Sequence, residues 1–156
     1  MKILYLHGLE SKQGGPKVDF LKELGETLAP SMNYRNSNEF SKTLKDAKNF
    51  NPDLIIGSSM GGYFAKAVAS HLGVDALLFN PAIHSRSIEP EGVIFGNKKF
   101  NARVVLGSKD AIIDYKETWL MLNKEKGSGD YDVTVKKGMG HQIPENIFKS
   151  EVLVTI

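Results

Sequence analysis

The chain contains no cysteine. That absence excludes disulfides, thiol nucleophiles and thiolate metal sites together. No apolar run approaches the ~20 residues needed to span a bilayer as a helix. The stretch Met1-Lys2-Ile3-Leu4-Tyr5-Leu6 is too short for the apolar core of a signal peptide and precedes no cleavage pattern. A cytoplasmic location is therefore expected. Excess charge of one sign is also missing, since twenty Lys and Arg face eighteen Asp and Glu for a net +2. Lys42, Lys45 and Lys48 recur at helical spacing among acidic and polar neighbours, which reads as a solvated helix face. No nucleic-acid or membrane partner is expected. Histidines and carboxylates are not paired at ligand spacing, so neither a metal nor a cofactor is expected. Repeats and low-complexity segments are absent.

What remains is an ordinary globular composition, 41% hydrophobic and 24% charged over 156 residues. That is enough for a self-sufficient core, and one domain spanning 1–156 is expected. Ile3 to Leu6, Asp53 to Gly57, Asp75 to Phe79 and Arg103 to Leu106 are short continuous apolar runs, the pattern of strands covered on both faces. Between them lie helical patterns. Pro16 opens one on Val18, Phe20, Leu21, Leu24 and Leu28, stopped at Pro30. Others run over Glu39–Phe50, over Gly61–Leu72, and over Asp114–Lys126 on Tyr115, Trp119 and Leu122. Asn33-Tyr34-Arg35 suits a short edge strand, and Tyr131-Val133-Val135 alternates like another. Residues 83–101 read as a loop with a weak turn or hairpin around Pro90 to Asn97. Residues 147–156 fit a closing helix or a strand equally. Strands alternating with helices imply a three-layer α/β domain on a mainly parallel sheet.

Between the second buried run and the helix after it stands Gly57-Ser58-Ser59-Met60-Gly61-Gly62. This is G-x-S-x-G at a strand-to-helix turn, with glycines where a Cβ would obstruct a sharp reversal. Ser59 occupies the apex, with its hydroxyl exposed, whereas Ser58 is expected to point back toward the sheet. A nucleophilic serine needs a base, and the base needs an orienting acid. At the carboxyl ends of later strands stand Asp110, in Gly107-Ser108-Lys109-Asp110, and His141, in Gly138-Met139-Gly140-His141. The order Ser…Asp…His is that of an α/β-hydrolase. His7, His71 and His84 all precede the acid in the chain and suit the base role less well. Two backbone donors are needed for an oxyanion, and Met60 and Leu9 are placed to supply them. His7, Gly8, Asn80, Pro81 and Ala82, at two further strand ends, are assigned to substrate binding, with His7 also suited to bracing its loop.

These motifs together resemble the YqiA-like esterases, a family of small α/β-hydrolases. The carriers are Leu4-Tyr5-Leu6-His7-Gly8-Leu9, the segment Gly57-Ser58-Ser59-Met60-Gly61-Gly62-Tyr63, Asn80-Pro81-Ala82, and the acid and histidine motifs just named. The resemblance runs from residue 1 to about 145. It implies a minimal α/β-hydrolase fold acting on acyl esters or thioesters. No amphipathic helix of lid type lies between Asn80 and Asn101, so small, short to medium acyl substrates are expected. The alternatives are a thioesterase or acyltransferase on the same triad, with Lys12, Lys17 and Arg86 as candidate anion contacts, and a non-catalytic binding protein. The oligomeric state is not legible.

Overall fold

Six strands pair, all in parallel, into one sheet of order β2-β1-β3-β4-β5-β6. In this computed structural model, which describes residues 1–125 and 127–156, the strands are β1 (Lys2–Leu6), β2 (Glu26–Leu28), β3 (Leu54–Ser58), β4 (Ala76–Phe79), β5 (Phe100–Gly107) and β6 (Gly129–Lys136). The helices are α1 (Pro16–Leu24), α2 (Glu39–Phe50), α3 (Met60–Leu72), α4 (Tyr115–Lys124) and α5 (Glu145–Thr155). The chain runs outward from β1 to β2, then returns past β1 to β3 and onward. Right-handed crossovers place α1 on one face of the sheet and α2, α3 and α4 on the other. Side chains record this split. Leu4, Leu6, Ile55, Leu78 and Val104 join Phe40, Phe64, Val68 and Leu122 in one core. Their strand neighbours Ile3, Tyr5, Ile56, Leu77 and Val105 join Val18, Leu21, Phe148 and Val152 in the other. The expected three-layer α/β architecture is present. Its strand order reverses direction between β1 and β3, where open sheets of this type form a crevice.

The structure corrects several local expectations. The helix opened by Pro16 stops at Leu24, and Glu26–Leu28 becomes β2. Gly25 stands at the break, where a Cβ would lie 2.3 Å from the Met1 carbonyl oxygen. Only glycine lets the chain pass so close to β1. Residues 33–35 form a turn instead of a strand, with the Asn33 side chain accepting from the Arg35 N–H at 3.3 Å. Tyr34 is buried there because its ring meets Phe64 edge-on at 4.8 Å. Residues 83–99 are a loop with a turn at Glu91-Gly92, one of the two forms expected there. Helix α4 ends at Lys124, and Lys126, the expected end, lies outside the described residues. On α4, Leu122 is buried and Tyr115 packs partly buried against the core as expected, but Trp119 is 47% exposed and Thr118 is the buried residue beside it. Residues 145–155 form a helix because Phe148 packs on Tyr5 and Phe79, at ring distances of 5.9 and 5.2 Å.

Among the described residues, no helix is long and apolar enough to cross a membrane.

Candidate active site

Ser59 is the single residue between β3 and α3, and it holds φ 54°, ψ −118°. A non-glycine residue in that region stores about 1–3 kcal/mol of strain, which the surroundings must impose. They do so through three backbone bonds. The Ser59 N–H donates to the Phe79 carbonyl at 3.0 Å, while its carbonyl accepts from Ala82 at 3.0 Å and Tyr63 at 3.1 Å. Helix α3 then leaves in close contact with β1. A Cβ on Gly61 would lie 2.0 Å from the Leu6 carbonyl oxygen, so this position admits only glycine. The loop after β1 passes beside the serine, and a Cβ built on Gly8 would sit 3.4 Å from the Ser59 Cβ.

His141 reaches the same point from the loop between β6 and α5. Its Nε2 lies 3.1 Å from Ser59 Oγ, and its Nδ1 lies 2.8 Å from Asp110 Oδ2. The Asp110 side chain is 0% exposed. Its other oxygen accepts the Ile112 and Ile113 N–H groups at 2.8 and 2.9 Å, which fixes the carboxylate in place. A carboxylate only accepts, so the ring proton sits on Nδ1 and Nε2 is left to accept from the serine hydroxyl. The three side chains form a continuous line from the buried Asp110 carboxyl group through His141 to the Ser59 hydroxyl. Asp114, four residues on, caps α4 by accepting from Lys116 at 2.9 Å and Glu117 at 3.1 Å.

A cleft of about 240 Å³ opens above Ser59 and His141. Gly8 and Leu9 form one wall, with Glu10, Ser11, Ser87 and Gln142 around the rim. Ile112, 65% exposed, is an apolar residue of the same lining. Ser58 also lines the cleft, and its backbone carbonyl oxygen lies 3.5 Å from a Cβ built on Gly8. Leu9, on the loop after β1, lines the same cleft as Ser59, and Met60 is the first residue of α3, where a helix has no preceding turn to take its N–H.

Four of the five residues assigned to substrate binding do not reach the cleft; Gly8 does. Asn80 is fully buried at φ 40°. Its side-chain amide donates to the Gly140 and His141 carbonyls, each at 3.1 Å, and its oxygen accepts the Gly107 N–H at 2.8 Å. It is therefore the clamp that holds the His141 loop against the end of β5. Pro81 and Ala82 are buried, with Pro81 packed against Gly62. His7 is buried too. Its Nε2 accepts from Met32 N at 3.0 Å and its Nδ1 lies 2.7 Å from the Gly8 carbonyl, so it braces the loop. Sequence reasoning missed Ser11, Ser87 and Gln142. Gln142 adjoins His141 and Ser11 follows the first strand, which are usable signals, whereas nothing local marks Ser87. Among the described residues, no group of three or more His, Cys, Asp or Glu is placed to hold a metal.

Residues 2–91 match the family described as "Uncharacterised protein family (UPF0227)". The chain belongs to UPF0227, the YqiA-like family. A UPF0227 protein of Vibrio parahaemolyticus is 26% identical over 172 residues, covering 90% of each chain. Solved structures share the fold. A carboxylesterase from Bacillus cereus aligns with TM-score 0.62 at 18% identity, over 98% of this chain and 86% of that one. A monoacylglycerol lipase from Paleococcus ferrophilus aligns with TM-score 0.68 at 13% identity, over 98% and 91%. Mouse alpha/beta hydrolase domain-containing protein 10 aligns with TM-score 0.70 at 14% identity, over 99% and 87%. The family fold is that of the α/β-hydrolases.

Proposed function

We propose that the protein is a serine esterase that cleaves small acyl esters through an acyl-enzyme. The observation carrying this reading is the unbroken line Asp110 Oδ2, His141 Nδ1, His141 Nε2, Ser59 Oγ, with steps of 2.8 and 3.1 Å. In the first half-reaction Ser59 Oγ attacks the ester carbonyl carbon while its proton passes to His141 Nε2. The Leu9 and Met60 N–H groups donate to the developing oxyanion. Collapse expels the alcohol, which takes the proton from His141. Water then attacks the acyl-enzyme, losing a proton to His141, and collapse breaks the bond to Ser59 Oγ, which takes that proton back from His141 as the carboxylic acid leaves. Asp110 holds the imidazole tautomer throughout and stabilises the imidazolium. A thioester would be cleaved by the same steps. Arg86, one candidate contact for an anionic thiol leaving group, is occupied elsewhere. It donates to the Ala82 and Ile83 carbonyls, pairs with Glu89 and lies 4.3 Å from the Tyr63 ring.

The test is hydrolysis of p-nitrophenyl butyrate by the wild type, Ser59→Ala and His141→Gln. Activity should fall by at least roughly a thousandfold in both variants. Undiminished hydrolysis by folded Ser59→Ala would reject the reading.

A further inference from the structure

The loop after β1 separates two cavities. The catalytic cleft lies on one side, and a second cavity of about 290 Å³ lies on the other. Ser11 lines both, and His7 and Gly8 stand between them as consecutive wall residues. The chemistry of the second cavity is one-sided. Lys12 and Lys17 contribute ammonium groups and Ser11 a hydroxyl, against an apolar wall at Ile143. Tyr5 reaches it from β1 although the residue is only 8% exposed. Among the described residues the Tyr5 hydroxyl has no hydrogen-bond partner. Burial pushes its pKa up to about 12, so it remains an O–H donor at neutral pH.

Lys17 is half-buried, and no carboxylate among the described residues lies within ion-pairing distance of its Nζ. Its ammonium sits 5.5 Å from the Phe148 ring. Burial lowers its pKa, and the charge of Glu145 opposes that shift. Glu145 is the one carboxylate lining the cavity, and it is already paired with Lys149 at 2.6 Å. A half-buried ammonium outside ion-pairing distance of the described carboxylates, beside a phenol hydroxyl that opens onto the cavity and makes no hydrogen bond among the described residues, leaves several donors and one engaged acceptor around an open space.

We propose that this cavity binds an anionic group, carboxylate or phosphate, carried on the ester whose carbonyl sits at Ser59. The inference rests on the esterase reading, and it identifies the substrates as acidic small esters. Lys17 is the principal contact, with Tyr5 and Ser11 adding hydrogen bonds and Lys12 adding charge at the mouth.

Two substrate pairs test it: p-nitrophenyl butyrate against p-nitrophenyl hemisuccinate, and ethyl butyrate against O-butyryl glycolate. They place the anion on the acyl and on the alcohol side respectively. At least one anionic member should exceed its neutral partner in kcat/KM by roughly tenfold, the worth of one charge-assisted hydrogen bond. Lys17→Met keeps the aliphatic stem on Phe148 and should erase that preference through KM, leaving the neutral esters within about twofold. Lys17→Arg should restore part of it, and Tyr5→Phe should reduce it severalfold. A binding readout is taken with inorganic phosphate, which should raise the melting temperature of the wild type and of Ser59→Ala but not of Lys17→Met. Ser59-dependent hydrolysis with no anionic preference and no phosphate stabilisation overturns this proposal alone. Phosphate stabilisation lost in Lys17→Met, with hydrolysis indifferent to Ser59, overturns the esterase reading and leaves the anion site standing.

Discussion

Asp110 and Asp114 are four residues apart on one loop, and their surroundings assign them different work. Asp110 receives two backbone N–H groups on one oxygen and His141 on the other, whereas Asp114 receives only the first-turn N–H groups of α4. Asp110→Asn should lower kcat by roughly a thousandfold or more, because an amide can stabilise the wrong imidazole tautomer. Asp114→Asn keeps a capping oxygen and should leave kcat within about twofold, with stability changed by less than ~1 kcal/mol. Steady-state kinetics and thermal melts on the two variants check both outcomes. Asn80 makes a sharper structural prediction. Asn80→Ala removes the partners of Gly107 N–H and of two carbonyls, and puts alanine at φ 40°. It should cost about 2–4 kcal/mol and lower kcat more than KM, since the His141 loop loses its anchor. Chemical denaturation and kinetics measure the two effects. The convergence of Ser59, Asp110 and His141 was legible because strand-end placement, flanking glycines and chain order agree on those positions. The role of Asn80 was not legible: a polar residue at a strand end suggests a ligand contact, and only the fold reveals two carbonyls and an amide converging on it.

Helix α5 shows why element identity can escape a sequence. Val152-Leu153-Val154-Thr155-Ile156 has the β-branched content of a strand, but Phe148 and Val152 lie four apart and both enter the core beneath the sheet. Glu151 adds a second tether. It is 3% exposed, accepting from Arg103 Nε at 2.8 Å and pairing with Lys136. Burial alone would raise its carboxyl pKa, yet hydrogen bonds and charge from Lys136 and Arg103 outweigh burial and hold it below 4.5. A depressed folded value stabilises the protein fully above the unfolded value, and that stabilisation is lost as pH falls through the folded value. The wild type should therefore lose stability progressively as pH drops from about 4.5, and Glu151→Gln should remove that component of the slope. Melting curves from pH 7 to about 3 measure it. The α1–β2 boundary misled for another reason. Leu24 and Leu28 keep helical spacing across the break, and the deciding fact, the close approach of Gly25 to Met1, is tertiary. The turn at 33–35 was signalled by its flanking asparagines but masked by the strand propensity of Tyr34.

At the scale of the whole molecule, the sheet reversal between β1 and β3 puts Gly8 and Leu9 against Ser59, while the ends of β5 and β6 carry Asp110 and the His141 loop. The segment over 80–101 that might have roofed this crevice contains no helix. Of its apolar residues, Ile83 is buried in the core, Ile88 and Val93 pack against it, and Ile94 and Phe95 are exposed. Only Ser87 reaches the cleft. A cleft of about 240 Å³ with Leu9 and Ile112 as its apolar walls can desolvate only a few methylenes, each contributing about 0.8 kcal/mol. Across p-nitrophenyl esters, kcat/KM should rise from acetyl to about butyryl or hexanoyl and then level or fall. A steady rise into long chains, measured below their aggregation limits, would require an acyl channel absent from this fold.

The central claim is that Ser59 is an activated nucleophile, and labelling with a fluorophosphonate probe tests it without choosing a substrate. The wild type should be labelled on Ser59 alone, Ser58→Ala should still label, and folded Ser59→Ala and His141→Gln should not. Labelling mapped to Ser58, or retained in Ser59→Ala, would contradict the account.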